Sequence, residues 1–277
     1  MYAAVANRAA WWRTLAFQRV FPEQALRRNL ARKVELEQEI ELLPLLTNRN
    51  KVSIDVGANA GCYAAALLPL SQRVILIEPH PRLARLLRGF PRDRAQVHQA
   101  VATDSAGEMI ELEVVLKGSR EVDALGRVAR GPATASARRY RVPTLTLDQF
   151  SDQPTGFIKI DVEGHETVVL RGAGELIERH RPNLLIESEA RHCEGAPWSV
   201  FEWTAQHGYE GFFCYENRVL PVDRFSIDMQ DTAPLPGQMR RHQANYANNF
   251  IFVPRERDWQ AVAGCCEAAL NGREYPS

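Results

Sequence analysis

The sequence is short of what disulfide-framed, membrane-spanning and polyanion-binding proteins depend on. Its 277 residues include five cysteines (Cys62, Cys193, Cys214, Cys265 and Cys266), an odd number with no zinc-type CxxC spacing. Neither a disulfide framework nor a structural zinc site is expected, and a reducing compartment fits best. No run approaches the ~18 consecutive apolar residues that suggest a bilayer span. Arg8 and Arg13 interrupt any signal-peptide core. Charge of one sign is also missing: 34 Lys+Arg face 34 Asp+Glu, so there is no general attraction to nucleic acid or to an anionic membrane. Lysine is scarce, limited to Lys33, Lys51, Lys117 and Lys159, and codon bias accounts for the arginine excess better than guanidinium chemistry does. The expectation is a cytoplasmic protein with no nucleic-acid partner and no transmembrane segment.

What is present suits a globular chain: 45% hydrophobic and 25% charged residues are enough to bury a sizeable core. Residues 1–46 read as an N-terminal helical extension. Trp11, Trp12, Leu15 and Phe17 mingle there with Arg8, Arg13 and Arg19, and a cap on the core or on a second subunit (a homodimer) is favoured over peripheral membrane contact. From 47 to 277 the pattern becomes one α/β domain. Short apolar runs at Val52–Val56, Arg73–Ile77, Val97–Val101, Ile110–Leu116, Phe157–Val162, Leu184–Glu187 and Phe250–Val253 alternate with helical patterns. Such alternation predicts a mainly parallel sheet covered on both faces. Residues 117–140, rich in Gly, Ala and Arg without a clear period, are expected to form a loop of the length that often serves as a lid.

The stretch VSIDVGANAGCYAAALL places Asp55 near the end of a strand, then Gly57, Asn59 and Gly61 in a turn, then a helix. Glycines let backbone approach a ligand, and the carboxyl end of a strand opens into the crevice where α/β sheets bind nucleotides. The dinucleotide fingerprint GxGxxG is absent, because Asn59 stands where its second Gly would be. An Asp two residues before the first Gly suits a ligand with a cationic amine, such as the amino-acid end of S-adenosylmethionine. Glu78, in VILIEPHP, can accept hydrogen bonds from a ribose diol, a group that NAD and S-adenosylmethionine share.

A second signal is TLTLDQF followed by GFIKIDVEGHETVVLRGAGELIERHRPNLLIESE. With DVGANAG and IEPHP, these segments resemble the FkbM family of S-adenosylmethionine-dependent methyltransferases from about Lys51 to Glu189, and NNFIFVP resembles the family's last strand. The resemblance implies a class I methyltransferase (Rossmann-like) fold, a mostly parallel seven-stranded sheet with one strand reversed, and O-methylation. It implies that Asp55, Gly57, Asn59 and Gly61 meet the methionine part of the cofactor and that Glu78 binds the ribose. Ala100 and Val101 would lie beside adenine, and Asp161 would face the methyl group. Family members modify sugars in glycans and polysaccharides, and also polyketide-type natural products. The aromatic segment Trp198, Phe201, Trp203, Tyr209, Phe212, Phe213 and Tyr215 is similar to members with saccharide acceptors, although most of these seven are expected in the core. A saccharide acceptor is therefore the first expectation, a polyketide-type product the second, and a non-catalytic cofactor-binding subunit of a glycan-assembly complex the third.

Methylating a sugar hydroxyl calls for alignment and for a group that takes the proton. Asp161, Glu163 and His165 are the catalytic candidates, beside Glu166 and, after the next strand, Glu187, Glu189 and His192. A metal-free route through His165 or Asp161 is favoured. The alternative places Mg²⁺ between Asp161 and Glu187 or Glu189. Acids at 163 and 166 also offset a helix dipole, whether or not they touch substrate. Lys159, two residues before Asp161 on the same strand face, is expected to pair with a carboxylate and hold it ionised.

Overall fold

The computed structural model describes residues 37–117, 120–129, 136–231 and 245–272. Twelve strands lie in this span, and eight of them form the central sheet. These eight are β1 (Val52–Val56), β2 (Arg73–Ile77), β3 (Ala95–His98), β8 (Thr155–Ile160), β9 (Asn183–Glu187), β10 (Tyr209–Tyr215), β11 (Arg218–Pro221) and β12 (Asn249–Pro254). Their order is β11-β10-β12-β9-β8-β1-β2-β3. The run from β9 to β3 is parallel, whereas β12 lies antiparallel to both β9 and β10. This is the expected class I methyltransferase sheet, corrected from seven strands with one reversed to eight with two reversed, β12 and β11. The eighth, β11, returns along β10 through Glu216 and Asn217, both with positive φ. Two left-handed residues in succession make the tight turn whose twist matches a hairpin.

The apolar runs form central strands because both sheet faces are covered, and the period of two assigns each residue to a face. Val74, Leu76, Phe157, Leu185, Phe212, Ile251 and Val253 join a core with the helix Cys62–Leu67. Ile54, Ile75, Ile77, Ile158, Ile160, Leu184, Ile186, Phe213 and Phe250 join the core on the opposite face, with Val169, Leu170 and Ile177 from the helices Glu166–Arg171 and Gly174–His180. By this alternation Asp55 and Lys159 fall on the first face, and they are register partners between β1 and β8. Of the expected N-terminal extension, residues 1–36 lie outside the described residues. Ile40, Leu42, Leu43 and Leu46 are buried in the first core. The seven aromatics divide: Tyr209, Phe212 and Phe213 are buried, whereas Trp198 is 47% exposed.

The segment 117–140 differs from its expected loop. Strands β5 (Met109–Lys117), β6 (Arg120–Val128) and β7 (Ala137–Leu145) form an antiparallel unit, joined through β7 to the short β4 (Val101–Ala102). The expected strand Val97–Val101 is accordingly two strands, β3 ending at His98 and β4 beginning at Val101. β7 hides its strand character because most of its side chains face outward. Only Val142, Thr144 and Leu145 are buried there, while Arg139 crosses to Glu111 and Glu113 of β5. No helix among the described residues is long and apolar enough to cross a membrane.

Candidate active site

A cavity opens at the carboxyl ends of β1, β2 and β8, where a parallel sheet leaves a crevice between its helices. Val56, Gly57 and Asn59 line it after β1, Ile77 to His80 after β2, and Ala100 to Ala102 from the β3–β4 junction. Asp161, Val162, Glu163 and His165 follow β8, and Leu112 and Val128 come from the side sheet. The fold thus gathers Gly57, Asn59, Glu78, Ala100 and Val101 with Asp161, Glu163 and His165 around one space. Asp55 and Gly61 are not on its wall. Asp55 is buried, in register with Lys159 on the neighbouring strand. Gly61 begins the helix Cys62–Leu67 with φ +83, at a point where a side chain would strike Leu87 and Phe90.

The turn is held by its own backbone. The N–H groups of Gly57 and Ala58 donate to the Ile77 carbonyl at 2.9 and 3.1 Å. Gly57 has φ +78, and a Cβ there would lie 1.8 Å from the Asp161 carbonyl oxygen. That close approach brings the loops after β1 and β8 together. Glu78 completes the turn, accepting from Asn59 N–H at 2.7 Å on one oxygen and from His80 N–H at 2.8 Å on the other. Burial pushes its carboxyl up to about 7, against the downward pull of those two hydrogen bonds. A carboxylate has about four lone-pair positions, so each oxygen keeps one acceptor position beyond its backbone partner.

On the other side of the cavity, Lys159 is fully buried, with Nζ 3.5 Å from Asp161 Oδ2 and 3.8 Å from Glu187 Oε2. The ammonium also lies 4.9 Å from the centre of the Tyr63 ring. The pairing expected for Lys159 is present, and it leaves the Mg²⁺ alternative without support. A protein cation already stands between Asp161 and Glu187, while Arg191 takes both oxygens of Glu189 at 2.7 and 2.8 Å. Among the described residues no group of three or more His, Cys, Asp or Glu is arranged to hold a metal ion.

Glu163 and Gly164 both have positive φ, +52 and +94, and for a glutamate this is an uncommon, strained backbone. Glu163 Oε2 reaches His192 Nδ1 at 3.2 Å. Burial, then the neighbouring Asp161 charge, raises the Glu163 carboxyl to about 7. Glu166 instead turns back to accept from Gly164 N–H at 2.8 Å, so its carboxylate serves the start of the helix Glu166–Arg171 and is not on the cavity wall. His80 was missed by sequence reasoning. Its signal is the His-Pro pair, since His80 precedes Pro81, the first residue of the helix Pro81–Leu87, and its Nδ1 accepts from Arg82 N–H at 3.1 Å. Leu112 and Val128 were missed because they come from strands far along the chain.

The chain matches the model of the methyltransferase FkbM domain over residues 55–245. No curated protein matches it. Among solved structures, the methyltransferase FkbM from Methylobacillus flagellatus is 18% identical with a TM-score of 0.47, the likeness covering 74% of this chain and 44% of that one. This chain therefore spans less than half of that relative's length. An rRNA methylase from Streptococcus thermophilus is 10% identical with a TM-score of 0.43, covering 78% of this chain and 93% of that one. A TehB-like SAM-dependent methyltransferase from Corynebacterium glutamicum is 14% identical with a TM-score of 0.40, covering 90% and 100%.

Proposed function

Because the chain belongs to the FkbM methyltransferase family, we propose that it is an S-adenosylmethionine-dependent O-methyltransferase acting on a sugar hydroxyl of a glycan or polysaccharide. The observation that carries this reading is the meeting, in one cavity, of the Gly57–Asn59 turn, Glu78 and the acidic loop Asp161–His165.

The residues present fit the cofactor. Glu78 retains acceptor capacity on both oxygens, as a ribose diol requires. Ala100 to Ala102 offer backbone groups beside the apolar Ile77, Leu112 and Val128, a combination suited to an adenine. Asn59 offers a polar side chain at the turn. When bound, S-adenosylmethionine supplies an electrophilic methyl group on a sulfonium and leaves as a neutral sulfide.

The chain's own residues then have two tasks. Asp161, held 3.5 Å from the Lys159 ammonium, orients the acceptor hydroxyl by accepting its hydrogen bond. Glu163 takes the proton, since a carboxyl with a pKa of about 7 is matched to general-base work near neutrality. His165 closes the wall beside them. Alignment of an acceptor hydroxyl at this wall supplies much of the rate, because a positioned reactant avoids the entropy of encounter.

The test is transfer of isotopically labelled methyl from S-adenosylmethionine to a panel of acceptors: polysaccharides, nucleotide-sugars and polyketide-type alcohols. Label is expected in the saccharides, as an alkali-stable methyl ether. Label confined to the polyketide-type alcohols would replace the substrate while keeping the chemistry. Cofactor binding without any transfer would favour a non-catalytic subunit.

A further inference from the structure

The general base proposed above does not stand alone. Glu163 Oε2 lies 3.2 Å from His192 Nδ1, and on the far side of the same ring Nε2 lies 3.8 Å from Glu189 Oε1. Glu189 is buried and fixed, with both oxygens held by Arg191 and one of them also accepting from the Tyr246 hydroxyl. The imidazole is therefore lined up between a cavity-facing carboxylate and an anchored one.

The backbone is shaped to make this contact. Glu163 and Gly164 adopt left-handed conformations in succession, and a Cβ on Gly164 would meet the His192 carbonyl oxygen at 2.8 Å and the His192 Cβ at 3.2 Å. Only a glycine lets the loop after β8 lie this close to the loop after β9. Strain of this kind concentrates at functional sites. His192 belongs to none of the cavity-lining residues, so it acts through Glu163.

We infer that His192 and Glu189 are positioning residues for Glu163: the imidazole donates from Nδ1 to the base and aims its carboxylate into the cavity, and the Glu189 charge holds the ring in place. This deepens the proposed function and rests on it. At 3.2 Å from a carboxylate oxygen Nδ1 is the donor, so the Nδ1–H tautomer fits, while Glu189, 3.8 Å from Nε2, acts on the ring through its charge. As the acceptor oxygen uses an electron pair to bond the methyl carbon, its O–H bond breaks and the proton lands on Glu163. His192 keeps its own Nδ1–H on Glu163 Oε2, and the proton passes from Glu163 to water as the product departs. This is the logic of a base oriented by a further group.

The surroundings keep His192 neutral where Glu163 titrates. Glu163 is raised by burial, Asp161, Glu189 and Glu166 and lowered by Arg191. His192 is lowered by burial and by Arg191, and raised by Glu189 and Asp161. Tyr246, itself raised by burial and by its hydrogen bond to Glu189, stays a neutral donor. Replacing Glu189 by Gln leaves Arg191 unopposed, and both Glu163 and His192 then titrate at lower pH.

The experiment uses the full chain with ¹⁵N-labelled histidine, free of cofactor, titrated by NMR, together with kcat/KM-against-pH profiles of wild type, Glu189→Gln and His192→Gln. Wild-type His192 is expected as the Nδ1–H tautomer at pH 8, and Glu189→Gln should lower its titration midpoint by about one pH unit. In turnover, both variants should lose about tenfold or more in kcat with S-adenosylmethionine affinity unchanged. The acid limb of the profile, near pH 7 in wild type, should move to lower pH in Glu189→Gln. An Nε2–H tautomer, a midpoint unmoved by Glu189→Gln, or an acid limb unmoved in that variant overturns the assignment. The NMR result is independent of turnover, so a protein with the Nδ1–H tautomer and the shifted midpoint but no methyl transfer identifies failure of the functional reading alone.

Discussion

Gly57→Ala is expected to lower the thermal midpoint by about 5–15 °C and to abolish cofactor binding. Two costs add at this position. The left-handed backbone, φ +78, costs a residue with a Cβ about 1–2 kcal/mol. Overpacking against backbone adds roughly 1–3 kcal/mol, because the Cβ would sit 1.8 Å from the Asp161 carbonyl oxygen. Asp161 cannot retreat freely, since its N–H donates to Val56 at 3.0 Å at the end of the β1–β8 ladder. The midpoint range follows from about 2–4 °C per kcal/mol for domains of this size. Gly107→Ala is the control: its φ is +85 but nothing lies within 4 Å of a Cβ there, so it keeps only the backbone cost. Differential scanning calorimetry on the two variants separates the effects. Equal midpoints for both would remove the close approach of the two loops from the account.

Lys159→Met should be nearly as damaging, for an electrostatic reason. Methionine fills the space but leaves Asp161 and Glu187 on one side of the sheet end without the ammonium between them. Removing one member of a fully buried pair costs about 3–5 kcal/mol; with the Asp161 and Glu187 side chains 24% and 20% exposed, water recovers part of that. A fall of roughly 5–10 °C in the midpoint is expected at pH 8. The sign with pH follows from linkage. Without Lys159 the two carboxyls have folded-state pKa values above their unfolded ones, so their destabilisation is complete at high pH and is relieved as pH falls towards the unfolded values. The gap between wild type and variant therefore narrows from pH 8 to pH 5. A gap that is constant or widens on acidification would contradict the role given to the lysine.

Much of this arrangement was legible in the chain because it depends on short-range pattern. The apolar run of β1 followed by Gly57, Asn59 and Gly61 announces a strand, a turn and a helix, and the spacing to Glu78 follows from the next strand being parallel and adjacent. The period of two also put Lys159 and Asp161 on one face, where the structure pairs them. Legibility failed where long-range geometry decides. That Asp55, expected at the ligand, lies buried and in register with Lys159 is set by the pairing of β1 with β8. A magnesium site between Asp161 and Glu187 was a reasonable use of two acids at neighbouring strand ends, but Lys159 stands between them. β7 carries Arg138 and Arg141 at exposed positions, which mutes its alternation. β11 hangs on a hairpin turn whose first left-handed residue is Glu216, a residue type that does not announce such a turn. His192 stood in the sequence as one of a loose group of polar residues. The strained Glu163–Gly164 backbone gives it a direction.

The central claim is that the cavity between β1, β2 and β8 holds S-adenosylmethionine by way of Glu78. Isothermal titration calorimetry at pH 8 with S-adenosylmethionine, S-adenosylhomocysteine and NAD, on wild type and Glu78→Ala, tests it most directly. The account predicts micromolar affinity for both sulfur nucleotides and none for NAD. It also predicts a loss of about 10- to 100-fold in Glu78→Ala, the size expected for hydrogen bonds to a charged acceptor. Preference for NAD, or sulfur-nucleotide affinity untouched by Glu78→Ala, would contradict it.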